Sequence, residues 1–133
     1  MKVSELMQTD VQTVRPDVVV NDAVVSLAES HITGLPVVDG GGRLVGVIST
    51  TDILAAEEEL EDQKARAALF EGTLVQDLMT PRPRTIAPDA TLKEAAQTML
   101  HADVHRLFVV EHERVIGVLS TTDIVRAVAT GQL

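Results

Sequence analysis

Residues 46–53, with the sequence GVISTTDI, recur as residues 117–124, with the sequence GVLSTTDI. The likeness extends towards the N-terminus, where VSELM at 3–7 corresponds to VQDLM at 75–79, and LPVVD at 35–39 corresponds to LFVVE at 107–111. The spacing between the copies is constant up to the glycines at 40–42, where the first copy has one extra residue. A repeat of this length indicates one supersecondary unit that occurs twice. Two such copies favour packing about a pseudo-twofold axis, with crevices between them.

The repeats predict a division of the chain into repeat 1 (residues 1–56), a connecting helix (57–72) and repeat 2 (73–133). A chain of 133 residues is long enough to bury a hydrophobic core. Hydrophobic residues make up 45% of the sequence and aromatic residues only 2%, so the core must consist of Val, Leu, Ile, Ala and Met. The sequence contains no cysteine, which excludes disulfides, thiol catalysis and cysteine-based metal sites.

The formal net charge of −9 at pH 7 argues against general nucleic-acid binding, which requires a basic surface. The same charge is compatible with one anionic small molecule held by a local pair of cations. No apolar segment follows Met1 and Lys2, and no apolar run approaches the length of a membrane span. We therefore expect a soluble, cytoplasmic protein that has neither nucleic-acid nor membrane partners.

The hydrophobic pattern of each repeat predicts a short helix, a strand, a second helix, two strands and a final helix. Short apolar runs are typical of buried strands, and they occur at 35–38, 44–48, 107–110 and 115–119. The short polar segments between these runs predict hairpins. Thr91 and Glu94 form a capping-box pattern at a helix start. The final helices are predicted to begin at the Ser-Thr-Thr-Asp stretches, and that of repeat 1 to continue through residues 64–69 to Gly72.

A Leu-Met near the start and a Gly-x-x-Ser/Thr-x-x-Asp-Ile at the end, repeated in tandem, resemble a pair of CBS domains, known as a Bateman module. The resemblance covers residues 3 to about 128. It implies an α/β fold of the α+β type, with two βαββα repeats packed about a pseudo-twofold axis. It also implies a regulatory sensor rather than an enzyme, with no obligatory cofactor. Such modules bind AMP, ADP, ATP, S-adenosylmethionine or a cyclic dinucleotide between the repeats, and they form homodimers that act on an effector protein.

The Ser-Thr-Thr-Asp stretches are the strongest candidates for ligand contacts. A helix N-terminus offers free N–H groups to a phosphate, and an ionised Asp accepts hydrogen bonds from a ribose diol. The resemblance implies that each cleft combines a base-binding wall from one copy with the Asp from the other. One cleft would contain Val14, Arg15, Val20, Thr33, Gly34 and Pro36 with Ser120, Thr122 and Asp123. The other would contain Ile86, Ala87, Leu92 and His105 with Ser49, Thr51 and Asp52.

The two copies differ at positions that matter for this interpretation. His105 and Arg106 match a pair that contacts phosphate in nucleotide-sensing relatives, whereas the first copy has Thr33 and Gly34. Phe108 stands where the first copy has Pro36. We therefore expect unequal clefts. We also expect Asp123 to matter more than Asp52, because the wall opposite Asp123 has smaller side chains.

Several other interpretations compete with ligand binding. Ser-Thr-Thr-Asp is also an ordinary N-capping sequence. The three glycines at 40–42 lack the Gly-Lys-Ser/Thr ending of a phosphate-binding loop and favour a hairpin turn. His101 and His105 have metal-ligand spacing, but no third ligand is evident and His105 is expected beyond the helix, so no metal is predicted. The alternative function is a structural or dimerisation module that binds no ligand.

Overall fold

A computed structural model describes residues 1–132, which form two compact units. Unit 1 combines Met1–Val11 with the chain from Arg84 onward, and unit 2 consists of Gln12–Pro83. Leu133, the last residue of the predicted repeat 2, lies outside the described residues. The compact units therefore differ from the sequence repeats, because the first eleven residues fold with the second repeat.

Both helices and strands are present, which confirms the predicted α+β fold class. The helices are α1 (Val3–Leu6), α2 (Val20–Ser30), α3 (Thr50–Glu58), α4 (Gln63–Gly72), α5 (Val75–Leu78), α6 (Leu92–Ala102) and α7 (Thr121–Ala129). The strands are β1 (Gly34–Val38), β2 (Leu44–Ser49), β3 (Thr80–Pro81), β4 (Thr85–Ile86), β5 (Arg106–Glu111) and β6 (Arg114–Ser120).

Each unit contains one sheet built around a predicted hairpin. In unit 2 the strand order is β1-β2-β3 and all pairs are antiparallel. In unit 1 the order is β4-β5-β6, in which β4 runs parallel to β5 and β5 antiparallel to β6. In repeat 1 the strand predicted between the first two helices is reduced to a single parallel bridge between Val14 and Val37. Both hairpins are confirmed, and they set the positions of the helices that follow them.

Helix α1 belongs to repeat 1 by sequence but folds in unit 1, with most of repeat 2. Helix α5 belongs to repeat 2 by sequence but folds in unit 2, with most of repeat 1. Helix α1 packs with β6 and α7, and α5 packs with α2, α3 and β2. After α1 the backbone of Gln8 exchanges two hydrogen bonds with Val118, each 2.9 Å long. Glycine permits this approach, because a Cβ on Gly117 would lie 2.6 Å from the sulfur of Met7. The sequence repeats thus exchange their leading segments.

Each unit has its own hydrophobic core of aliphatic side chains. In unit 2 the centre includes Leu35 and Ile48, which are fully buried on the facing strands of the hairpin. In unit 1 Leu107 and Leu119 occupy the equivalent positions. The buried residues of helices α2 and α6 recur every three to four positions and face the cores, as their periodicity predicts. The rigid sheet and helix of each unit therefore fix where the following helix begins.

The prediction of one long helix after Asp52 is wrong. Helix α3 ends at Glu58, and a separate helix α4 begins after Asp62 and ends at Gly72. The Asp62 carboxylate accepts a hydrogen bond of 2.6 Å from the backbone N–H of Ala65, so it caps the new helix. The acidic run before it places like charges near the negative end of the α3 dipole, which destabilises continuation of the helix. The helix therefore restarts at the first residue able to cap it.

Candidate functional site

The two Ser-Thr-Thr-Asp stretches form matching capping boxes at the N-termini of α3 and α7. The hydroxyl oxygen of Ser49 accepts a hydrogen bond from the N–H of Asp52 at 3.1 Å, and the Asp52 carboxylate accepts one from the N–H of Ser49 at 2.9 Å. Ser120 and Asp123 repeat this pattern at the same distances. The capping interpretation of these residues is therefore confirmed, while their role in ligand binding remains a prediction.

The second carboxylate oxygen of each Asp has a partner from the exchanged leading segment. Thr80 donates its hydroxyl to Oδ1 of Asp52 at 3.1 Å. Gln8 donates its side-chain amide to Oδ1 of Asp123 at 3.0 Å. Gln8 and Thr80 occupy the same position in the two repeats, directly after the Leu-Met pair. Nothing in the repeat pattern indicates that either residue reaches an Asp elsewhere in the chain, so neither could be predicted as part of the site from the sequence.

The two Asp side chains differ in burial and in charge. Asp123 is 4% exposed, whereas Asp52 is only partly buried. The Asp123 carboxylate also lies 3.5 Å from the guanidinium of Arg126, an exposed residue one turn further along α7. The equivalent position in α3 is Ala55. Asp123 is consequently the more enclosed and the more fully paired of the two.

The loops that precede β1 and β5 meet the helix starts within the same unit. The carbonyl of Thr33 accepts a hydrogen bond of 2.9 Å from the N–H of Thr50, and the carbonyl of His105 accepts one of 2.9 Å from Thr121. Gly34 pairs with Ser49, and Arg106 pairs with Ser120, across the hairpins. Thr51 and Thr122 are exposed at these helix ends. In unit 2 the carbonyl of Thr33 thus lies at the start of α3, and in unit 1 the carbonyl of His105 lies at the start of α7.

Other predicted wall residues lie elsewhere in their units. Val20 and Leu92 are buried in the two cores, and Pro36 is fully buried in β1. Val14 is buried beside β1, where its N–H donates to the carbonyl of Pro36 at 3.1 Å. These side chains pack against protein and present little or no surface to a ligand.

Arg15 and the residues before Pro88 are more accessible. Arg15 is exposed, and its guanidinium lies at the hairpin turn, since a Cβ on Gly40 would be 3.3 Å from one of its nitrogens. This turn is at the opposite end of β1 from Thr33, so the side chain of Arg15 points away from the Thr33 end of its wall. In unit 1 Ile86 is partly buried and Ala87 is exposed.

The His-Arg pair begins β5 and has mixed exposure. Helix α6 ends at Ala102, and Asp103 adopts a left-handed conformation with φ of 53°, so His105 lies beyond the helix as predicted. His105 is exposed, whereas Arg106 is partly buried, and desolvation by burial lowers the pKa of its guanidinium. Phe108 is only 4% exposed. Within residues 1–132, no three His, Asp or Glu side chains cluster as metal ligands.

The CBS domain family matches this chain twice, over residues 3–59 and 75–130. The chain belongs to the CBS domain family. The solved structure of CBSX2 in complex with AMP superposes on this CBS pair with a TM-score of 0.84 and 36% sequence identity, covering 99% of this chain and 98% of that one. The CBS domain pair of protein MJ0100, solved with 5′-methylthioadenosine and S-adenosyl-L-methionine, has a TM-score of 0.80 and 25% identity, and covers 100% and 98% of the two chains.

A curated relative, the chloroplastic CBS domain-containing protein CBSX1 of Arabidopsis thaliana, is 30% identical over 139 aligned residues. That alignment covers 89% of this CBS pair and 59% of the relative's length. Among residues 1–132, no helix is both long enough and apolar enough to cross a membrane.

Proposed function

We propose that this CBS pair is a regulatory module that binds AMP, ADP or ATP and acts on a separate effector protein. The observation that carries the proposal is the 36% identity, over nearly the whole of both chains, to CBSX2, whose solved structure contains AMP. S-adenosylmethionine is a further candidate, because the CBS pair of MJ0100 was solved with it. These compounds share an adenosine group, so a site for adenosine is the common element of the proposal.

The helix starts supply suitable chemistry for adenosine. An ionised carboxylate has about four acceptor positions, and the capping box uses one oxygen of each Asp. The remaining capacity of Asp52 and Asp123 suits the hydroxyls of a ribose. The exposed hydroxyls of Thr51 and Thr122 lie in the first turn of α3 and α7, at the positive end of each helix dipole, which suits a phosphate.

Regulation would operate by population shift. A ligand stabilises whichever arrangement of the protein it binds better, and it shifts the equilibrium only by that difference in affinity. An effector protein that recognises one arrangement would then respond to the nucleotide concentration. Catalysis forms no part of this proposal, because the hydroxyl oxygens of Ser49 and Ser120 cap helices rather than lie beside a basic group.

A thermal-unfolding screen tests the proposal directly. The protein is heated with AMP, ADP, ATP, S-adenosylmethionine or a cyclic dinucleotide, with GMP as the control for phosphate and ribose without adenine. A ligand present at about 100 times its dissociation constant should stabilise the folded state by about 2.7 kcal/mol. Calorimetric titration of each stabilising compound then gives the affinity and the number of sites.

The alternative function is a structural module that binds no ligand. The observation that favours it is the internal pairing of the site, since one oxygen of each Asp caps a helix and the other accepts a hydrogen bond from Thr80 or Gln8. Failure of all five compounds to raise the unfolding temperature above that with GMP would favour this alternative.

We propose in addition that the protein is a homodimer. In unit 1 the neighbouring helices α6 and α7 expose Leu100, Val125 and Val128 to 83%, 66% and 61%. A cavity of about 280 Å³ lies between these helices and is lined by apolar side chains that include Met99 and Ile124. Full burial of one such aliphatic side chain contributes about 1.5–3 kcal/mol, and twofold pairing is the commonest way to cover an apolar face.

A further inference from the structure

We propose that Gln8 occupies the ribose-binding position of Asp123 in the ligand-free protein, and that the choice between Gln and Thr at this repeat position decides which Asp binds the nucleotide. The inference rests on the adenosine-binding function proposed above and assigns a specificity-determining role to two residues outside the predicted site. It reverses the expectation that Asp123 matters more than Asp52.

The carboxylates of Asp52 and Asp123 differ in how many hydrogen bonds they already accept. In Asp52, Oδ2 accepts from the N–H of Ser49 and Oδ1 accepts from Thr80, so two of about four acceptor positions are used. In Asp123, Oδ2 accepts from Ser120, while Oδ1 contacts both Gln8 at 3.0 Å and Arg126 at 3.5 Å. Asp123 therefore has less remaining capacity for a ribose diol.

The side chains that a ligand would have to displace, Thr80 at Asp52 and Gln8 at Asp123, also differ in hydrogen-bonding capacity. A threonine hydroxyl is both donor and acceptor and rotates freely, so Thr80 can share Asp52 with a ligand hydroxyl. The Gln8 amide group that faces Asp123 is a donor only, and it competes directly with the ribose hydroxyls for Oδ1. Asp123 is also 4% exposed, so a ligand gains access to this carboxylate only if neighbouring side chains, of which Gln8 is one, move.

Reciprocal exchange of the two residues tests the inference, with AMP as the titrant in calorimetry. Gln8→Thr should strengthen AMP binding five- to tenfold or add a second site per chain, because it replaces a donor-only amide with a hydroxyl that can share the Asp123 carboxylate with a ligand. Thr80→Gln should weaken AMP binding by a similar factor. Gln97→Thr makes the same change at an exposed position of α6 and should leave the affinity unchanged.

A measurement without ligand tests the contact itself. In the ligand-free protein the side-chain amide protons of Gln8 should have a chemical shift distinct from those of Gln97, and Asp123→Ala, which removes the acceptor oxygens, should abolish the difference. Gln8 amide protons that resemble those of the exposed Gln97 would refute the inference whatever the binding data show.

The outcomes separate this inference from the proposed function. If AMP binds the wild type and both exchange variants equally well, the inference is wrong and the nucleotide-binding function stands. If Gln8→Thr weakens binding, Gln8 is a ligand contact and the inference is also wrong. If neither the wild type nor Gln8→Thr binds AMP or S-adenosylmethionine, the proposed function fails, and this inference fails with it.

Discussion

Replacing Gly117 with alanine should destabilise unit 1, because β6 and the leading segment approach each other too closely for a side chain. An added Cβ would lie 2.6 Å from the sulfur and 3.0 Å from Cγ of Met7, and 3.0 Å from the carbonyl oxygen of Gln8. The methionine side chain can rotate away, although it packs against the hydrophobic core of unit 1. The carbonyl cannot move without disturbing the paired hydrogen bonds between Gln8 and Val118.

The size of the effect follows from two opposing contributions. Inserting a methyl group into a closely packed site costs about 1–3 kcal/mol. Alanine also restricts the unfolded chain more than glycine does, and this effect stabilises the folded state by about 0.4–1 kcal/mol. The net destabilisation of Gly117→Ala should be about 1–2 kcal/mol. In a chain of 133 residues this loss should lower the unfolding temperature by roughly 3–10 °C.

Thermal and urea unfolding followed by circular dichroism, at one fixed protein concentration, measure this loss. Gly72→Ala is the matched control, because a Cβ there would have no atom within 4 Å and the residue ends helix α4. This control should be as stable as the wild type or slightly more stable. Gly46→Ala should behave like Gly117→Ala, since its Cβ would lie 2.7 Å from the sulfur of Met79. An unfolding temperature for Gly117→Ala equal to that of Gly72→Ala would refute the reasoning.

Three further predictions concern assembly, pH and catalysis. Leu100→Asp should shift the protein from dimer to monomer in light scattering, because it places a charge on the apolar face of α6 and α7. The control Gln97→Asp, on the same helix, should leave the dimer intact. A wild type that is already monomeric at micromolar concentration would contradict the proposed dimer. The backbone N–H groups of Arg43 and Gly41 donate to the Asp39 carboxylate and hold its pKa below the usual value of 3.8. Ionised Asp39 therefore stabilises the folded state fully above the pKa of the unfolded chain. This stabilisation is lost as the pH falls through the lower pKa of the folded state. Asp39→Asn should therefore lose stability less steeply than the wild type in acid unfolding below about pH 4, and parallel curves would count against this role. Purified protein should not release phosphate from ATP, and turnover that persists through removal of contaminating ATPases would show that the regulatory assignment is incomplete.

Much of the local structure could be predicted because it depends on residues close together in sequence. A capping box joins positions three residues apart, so Ser49 with Asp52, and Thr91 with Glu94, indicate their helix starts directly. The hairpins follow from short apolar runs around a polar turn. The break between α3 and α4 was missed because helical periodicity continues across it, whereas capping by Asp62 and repulsion within the acidic run end the first helix.

The candidate site could be predicted only in part. The sequence located the capping boxes of Asp52 and Asp123 through the repeat. It assigned Thr33 to the cleft of Asp123 and His105 to the cleft of Asp52, whereas within the units the carbonyl of Thr33 lies at the start of α3 and that of His105 at the start of α7. The helical spacing of apolar residues predicts that Val20 and Leu92 face the cores, whereas the family resemblance assigned them to the clefts, and the structure buries both. The sequence did not indicate where the side chain of Arg15 would point, since a long flexible cation can reach several surfaces.

The sequence by itself determined the two repeats, most of their helices and strands, and the capping boxes at the starts of α3 and α7. These features depend on local hydrogen bonds and on the periodicity of apolar residues. Tertiary structure alone decided that the leading segments exchange units and that Gln8 donates to Asp123 across 115 residues of chain. Such a contact depends on the close approach that Gly117 permits, and on free energies of packing that no local pattern encodes.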